Sequence, residues 1–108
     1  MYDAGVAYAD HLLGRLIGAL RERGTLDRTV IVVLSDHGEL LGERGGWGHG
    51  HTVREPEVRV PLVVRYPPRV EAGSRTDAPV SSAGVFATLA DLAGLDAPES
   101  AQVGSLLT

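Results

Sequence analysis

Residues 35–39 read Ser-Asp-His-Gly-Glu, directly after the apolar run Val30 to Leu34. Asp36 offers a charged oxygen and His37 a neutral ring nitrogen, and divalent metal ions accept both. Gly38 lets the backbone turn sharply behind the pair, so that two adjacent side chains can converge on one ion. The same residues also admit a local use, with Asp36 capping the next segment and His37 resting on the surface. A second candidate is Trp47-Gly48-His49-Gly50-His51-Thr52. Histidines on a glycine-flanked loop can approach a substrate oxyanion closely and act there as acid or hydrogen-bond partner. The alternative is a mobile polar loop whose histidines serve solubility. In the third stretch, Arg54 to Pro61, Glu55 and Arg59 can pair with each other or reach the metal loop. Charge clusters before a strand are usually solvated or ion-paired, which favours a structural use. Asp10 and His11 are neighbours on a helix, point in different directions and cannot readily chelate.

Other chemistries lack their residues. The chain has no cysteine, so it offers no thiol nucleophile, disulfide or thiolate zinc site. Ser35 lacks the Gly-x-Ser-x-Gly elbow of an α/β hydrolase. No Walker-type glycine loop is present.

The elements that must hold these residues follow from periodicity. Residues 2–23 read as an amphipathic helix, with Val6, Leu13, Leu16, Ile17 and Leu20 at helical spacing and Gly24 as its stop. Val30 to Leu34 reads as a strand buried on both faces, and its carboxyl end is where open α/β sheets bind ligands. Residues 38–57 form a long glycine-rich loop, and long loops in compact domains are often functional. Residues 61–65 read as a second strand, stopped by Tyr66-Pro67-Pro68. Residues 69–79 are a turn-rich connection. Residues 83–93 read as a helix with Val85, Leu89 and Leu92 on one face and Gly94 after it. Helix, strand, loop, strand and helix make a piece of an α/β layer structure. Two strands do not make a stable parallel sheet alone, because both faces and edges need cover. The expectation is therefore part of a larger domain.

Composition narrows the function classes. The 108 residues carry a net charge of −4, with 44% hydrophobic and 22% charged residues, as in ordinary globular proteins. Arginine is the only strong base and forms no basic stripe, so no nucleic-acid partner is expected. No apolar run is long enough to span a membrane. The opening Met-Tyr-Asp-Ala-Gly has neither the basic nor the apolar region of a signal peptide. Localisation stays open on this reading, cytoplasmic by default.

The order of motifs resembles the sulfatases of the alkaline phosphatase superfamily. The resemblance runs through Leu26-Asp27-Arg28-Thr29 into the strand and Ser-Asp-His-Gly-Glu. It continues in Leu41-Gly42-Glu43-Arg44-Gly45, Gly48-His49-Gly50-His51-Thr52 and Arg59-Val60-Pro61-Leu62-Val63-Val64, and ends in Val85-Phe86-Ala87-Thr88-Leu89. It implies an α/β fold, here a fragment of a large mostly parallel sheet flanked by helices (alkaline-phosphatase-like). It also implies a metal-dependent hydrolase of sulfate esters, with phosphodiester or phosphonate monoester hydrolysis as the alternative. By position, Asp36 and His37 match the family's second pair of metal ligands. The implied ion is divalent, calcium first, with manganese, magnesium or zinc as alternatives. Many sulfatases have Asp-Asn at this pair, and the Asp-His form recurs in choline-sulfatase-like and phosphonate or phosphodiester hydrolase members. Many also carry, on the glycine loop, a lysine that contacts the ester. Counted back from Pro61 it falls at Gly50, and His49 or His51 beside it can take the role. Arg59 and Pro61 match residues that lead into the next strand. Ala83 and Ala87 stand where the family often has Asp and Pro. The family's nucleophile, a Cys or Ser in Cys/Ser-x-Pro-x-Arg, and its first acidic ligand pair have no counterpart in this chain. The resemblance thus implies a partial catalytic domain over residues 1–108, inactive by itself, with the remainder of the domain and an ester substrate as its partners. A non-catalytic remnant is the competing expectation.

Overall fold

The structure, a computed structural model, describes residues 1–107. Helix α1 spans Tyr2–Glu22, close to the range its periodicity predicts. It ends because Gly24 takes φ +63°, a left-handed turn that glycine adopts without a Cβ penalty. The Gly24 and Thr25 N–H groups then donate to the Arg21 and Leu20 carbonyls, both at 3.0 Å, which satisfies the last turn in a Schellman motif. Helix α3, Gly84–Leu92, closes the same way through Gly94.

Strand β1 is Ile31–Leu34 and β4 is Leu62–Arg65. They pair antiparallel, from Ile31 opposite Arg65 to Leu34 opposite Leu62. Residues 35–61 between them contain no crossover helix, only one turn of helix, so the chain returns antiparallel. The mostly parallel sheet implied by the resemblance is thus entered here through an antiparallel pair. Among the described residues β1 has no second neighbour. The strand expected to be buried on both faces is accordingly half-buried, and Leu34 is 41% exposed.

The stretch 38–57 is more ordered than a plain loop. It holds β2, Leu40–Leu41, and β3, Trp47–Gly48, joined by a 3-10 turn over Glu43–Gly45, and then the single-turn helix α2, Glu55–Val58.

The core is small. Leu40, Ala87 and Leu92 are its buried apolar side chains, and Thr88 is the most enclosed residue at 1% exposure. Thr88 donates its hydroxyl to the Gly84 carbonyl at 2.7 Å and accepts the Leu106 N–H at 2.9 Å, fastening the last residues to α3. Asp91 extends this seam by accepting from Arg69 at 2.9 Å and from Ser105 at 2.8 Å. Arg65 ties β4 to the turn after α1 through the Leu26 carbonyl and the Asp27 carboxylate. No residue of α1 is buried, and Val6 and Leu16 are more than half exposed. The radius of gyration, 16.2 Å, exceeds the roughly 13 Å of a compact domain of this length. The elements lie apart, with open apolar faces between them.

Candidate active site

The strand-end turn is built by short bonds. Ser35 Oγ donates to the His37 carbonyl at 2.6 Å, and the His37 N–H donates to Asp36 Oδ1 at 3.0 Å. His37 Nδ1 lies 2.9 Å from the Gly38 carbonyl. A carbonyl only accepts, so Nδ1 carries the proton, and in the neutral ring Nε2 keeps its lone pair. That Nε2 stands 3.8 Å from Asp36 Oδ2, a spacing open to two donors that each lie about 2.0–2.5 Å from one ion. The Gly38 carbonyl bond, opposed by partial desolvation and aided by the Asp36, Glu39 and Glu57 carboxylates, raises the His37 pKa above its ordinary 6.5. Among the described residues, no group of three or more His, Asp and Glu side chains could hold a metal ion. Asp36 and His37 thus form a two-donor edge.

The β2–β3 hairpin brings the second motif to this edge. Its register sets Leu40 opposite Gly48 and Leu41 opposite Trp47, so the next pair outward is Glu39 and His49. His49 Nδ1 lies 3.2 Å from Glu39 Oε2. The carboxylate accepts, which leaves Nε2 as the outward nitrogen. The His49 ring also stacks on His37, with centroids 3.9 Å apart and planes inclined by 29°. His51 is treated differently. Its backbone N–H is bound, at 3.1 Å, by Glu57. Among the described residues its ring enters no side-chain hydrogen bond.

Glu57 is the residue that sequence reasoning passes over. It sits in a charge cluster that reads as solvated, yet it is 4% exposed. Its carboxylate accepts from the Thr52 hydroxyl at 2.6 Å and from the Thr52 N–H at 3.4 Å, beside the His51 bond. The Thr52 hydroxyl, aided by the N–H groups of His51, Thr52 and Gly50 and opposed by burial, lowers its pKa to about 2. No periodicity marks such a residue, because its donors are mostly backbone groups in a loop. Glu55, by contrast, pairs with Arg59 at 2.6 Å, and both side chains are exposed. The charged pair is structural, as the cluster predicts, and does not reach the strand-end turn. Asp10 and His11 are exposed on α1.

Gly38 allows these pieces to close. Its N–H donates to the Glu57 carbonyl at 2.7 Å, and a Cβ on it would overlap the Pro56 carbonyl oxygen. Beside the turn, a groove of about 660 Å³ runs between α1 and the end of β1, bordered by Tyr2, Asp10, Ser35, His37, Glu39 and Arg59.

An Asp-His edge at a strand end is thus faced by a Glu-held imidazole. The family model for sulfatases matches residues 1–95. The chain belongs to the sulfatase family. It is 39% identical over 105 residues to an N-acetylglucosamine-6-O-sulfatase of Bacteroides thetaiotaomicron, covering 97% of this chain and 19% of that protein. It is 41% identical over 98 residues to a choline-sulfatase of Rhizobium meliloti, covering 91% and 19%. A structure solved in complex with its substrate D-glucosamine-2-N,6-O-disulfate superposes with a TM-score of 0.86 at 39% identity, over 94% of this chain and 20% of that one. A phosphonate monoester hydrolase of Silicibacter pomeroyi superposes with a TM-score of 0.84 at 38% identity, over 90% and 19%. These neighbours show the alkaline-phosphatase-like α/β fold expected from the sequence. The chain spans about a fifth of the length of the curated relatives it matches. No helix among the described residues is long and apolar enough to cross a membrane.

Proposed function

We propose that this chain is the portion of a sulfatase catalytic domain that carries half of its metal site and its leaving-group imidazole, and that the full-length protein hydrolyses a sulfate ester. The observation behind the reading is the convergence of two sequence motifs, with His49 stacked on His37 beside Asp36. The donor set suits a divalent cation, because a carboxylate oxygen and an imidazole nitrogen lie 3.8 Å apart. Bound there, such an ion, calcium by family analogy, supplies positive charge against the ester oxygens and the attacking group. The protein's own part is positional. Nδ1 of His37 is committed to the Gly38 carbonyl, which orients its ring. Nδ1 of His49 is committed to Glu39, so a protonated His49 presents Nε2–H to the departing alcohol oxygen and gives up its proton there. His51, one glycine further on, takes the remaining role the family analogy leaves open, a hydrogen bond to the sulfate. The exposed apolar faces of α1 and the free edge of β1 fit the remaining layers of a longer domain. The ester-attacking group, which this chain lacks, belongs to those layers.

The test is turnover of aryl sulfates by the full-length protein, with Asp36→Ala as control. Chelator-sensitive hydrolysis that disappears in the variant supports the reading, and turnover indifferent to both overturns it. A second reading, phosphonate monoester hydrolysis, draws on the likeness to the Silicibacter pomeroyi enzyme. Relative kcat/KM on an aryl sulfate and an aryl phosphonate separates the two.

A further inference from the structure

Glu57 has two attachments that lead to the two halves of the candidate site. Its backbone carbonyl accepts the Gly38 N–H at 2.7 Å, next to His37. Its side chain accepts from the His51 N–H at 3.1 Å and the Thr52 hydroxyl at 2.6 Å, in the segment that carries His49. One residue on a single turn of helix thus spans the gap between the strand end and the histidine loop. The Thr52 hydroxyl in turn accepts the Arg54 N–H at 3.2 Å, tying the loop to the start of α2. His49 itself is held by Glu39 and stacks on His37, but between His49 and Arg54 the backbone has few other restraints. Gly48 and Gly50 have positive φ, and the two-residue pairing of β2 and β3 ends at Gly48. Such a loop has many accessible conformations without its anchor.

We infer that Glu57 is a positioning residue, a clamp that holds the His49–His51 loop in register with the Asp36-His37 turn. The inference rests on the reading of the site given above and adds to it the residue that sets its geometry. A carboxylate suits the task because all the groups it faces are donors. Glutamine keeps the shape but replaces one acceptor oxygen by an NH2 and removes the charge, so the Thr52 hydroxyl must turn from donor to acceptor and the loop N–H groups lose their charge-assisted bonds. The backbone bond from Gly38 survives that change, and the Asp36-His37 edge should therefore survive it too.

The test compares Glu57→Gln with the parent full-length protein on two esters, phenyl sulfate and para-nitrophenyl sulfate. The poorer leaving group, phenol, depends more on a well-placed acid. A clamp predicts a kcat loss of about 10- to 100-fold on phenyl sulfate, as expected for a displaced catalytic group. It predicts a loss below about threefold on para-nitrophenyl sulfate, whose leaving group needs little protonation. Calcium affinity should stay near that of the parent. Equal losses on both esters, or none, overturn the inference. If Glu57→Gln melts early, Thr52→Val removes the hydroxyl that donates to Glu57 and accepts from Arg54 while leaving the carboxylate in place, and the same split is expected of it. Full activity in Asp36→Ala overturns the reading of the site, whereas an unsplit Glu57→Gln beside an inactive Asp36→Ala overturns the clamp alone. A crystal structure of Glu57→Gln with residues 48–52 unmoved overturns it independently of any substrate.

Discussion

The rings of His37 and His49 lie face to face, 3.9 Å between centroids, although twelve positions separate them in the chain. The contact follows from the β2–β3 register, which sets Glu39 beside His49 and so returns the loop to the strand end. This relationship distinguishes two histidines that look equivalent in Gly-His-Gly-His. His49→Ala should lower kcat on a poor leaving group by about 10²- to 10⁴-fold, the range for loss of a general acid. His51→Ala should cost less than about tenfold, as one hydrogen bond to the ester would. Steady-state kinetics of the two variants check the assignment, and a larger loss in His51→Ala reverses it.

Asp36 and His37 present two donors 3.8 Å apart. Asp36→Ala removes the charged one. Calcium affinity, followed by titration calorimetry of the chelator-treated full-length protein, should fall by more than the roughly 10- to 100-fold typical of losing an outer-shell partner. Activity should return to the parent on adding the ion back and should not return to the variant.

Gly38 and α2 touch backbone to backbone, with no room for a Cβ beneath the Pro56 carbonyl. Gly38→Ala must push the turn and α2 apart. Overpacking of this kind costs about 1–3 kcal/mol, read as a lower denaturation midpoint. Loss of activity should accompany it, because the same shift separates His37 from His49.

Thr88 is the most enclosed side chain and bonds both Gly84 and Leu106. Thr88→Val keeps the volume and strands the Leu106 N–H. An unpaired buried donor costs about 1–3 kcal/mol, so the melting temperature should fall while the geometry of the distant histidines is unchanged. An unaltered melt would show that water replaces the hydroxyl.

Acid stability should depend on two carboxylates. Glu57 is lowered from 4.5 to about 2 by the Thr52 hydroxyl and neighbouring N–H groups. Asp91 is lowered from 3.8 by Ser105 and Arg69. A depressed folded-state pKa means that the unfolded chain binds protons first as pH falls. Each group's contribution is therefore complete above its ordinary value and is lost as pH drops toward the folded one. Urea midpoints should decline from about pH 4.5 downward, and Glu57→Gln should flatten that part of the profile.

Much of the scaffold was legible in the order of residues. The 3.6-residue spacing of α1 and the capping glycine at 24 place that helix to within a residue, because both signals act within one or two turns. The apolar run before Ser-Asp-His-Gly marks β1 and where it ends for the same local reason. The Glu55–Arg59 pair was legible as a charge cluster before a strand, although the single helical turn that carries it was not. Glu57 was not legible, since a glutamate in a charged cluster gives no sign that loop N–H groups will enclose it. The antiparallel return of β4 was hidden too, because strand direction depends on how residues 35–61 travel.

Motif order is a property of the chain alone, so it fixes which residue types stand at the strand end and on the loop, and which family they belong to. It is the folded arrangement that sets His49 rather than His51 against His37, and turns Glu57 rather than Glu55 inward. Those choices depend on hairpin register and on burial against segments remote in sequence. A single step of register would exchange the faces of every side chain in β2 and β3.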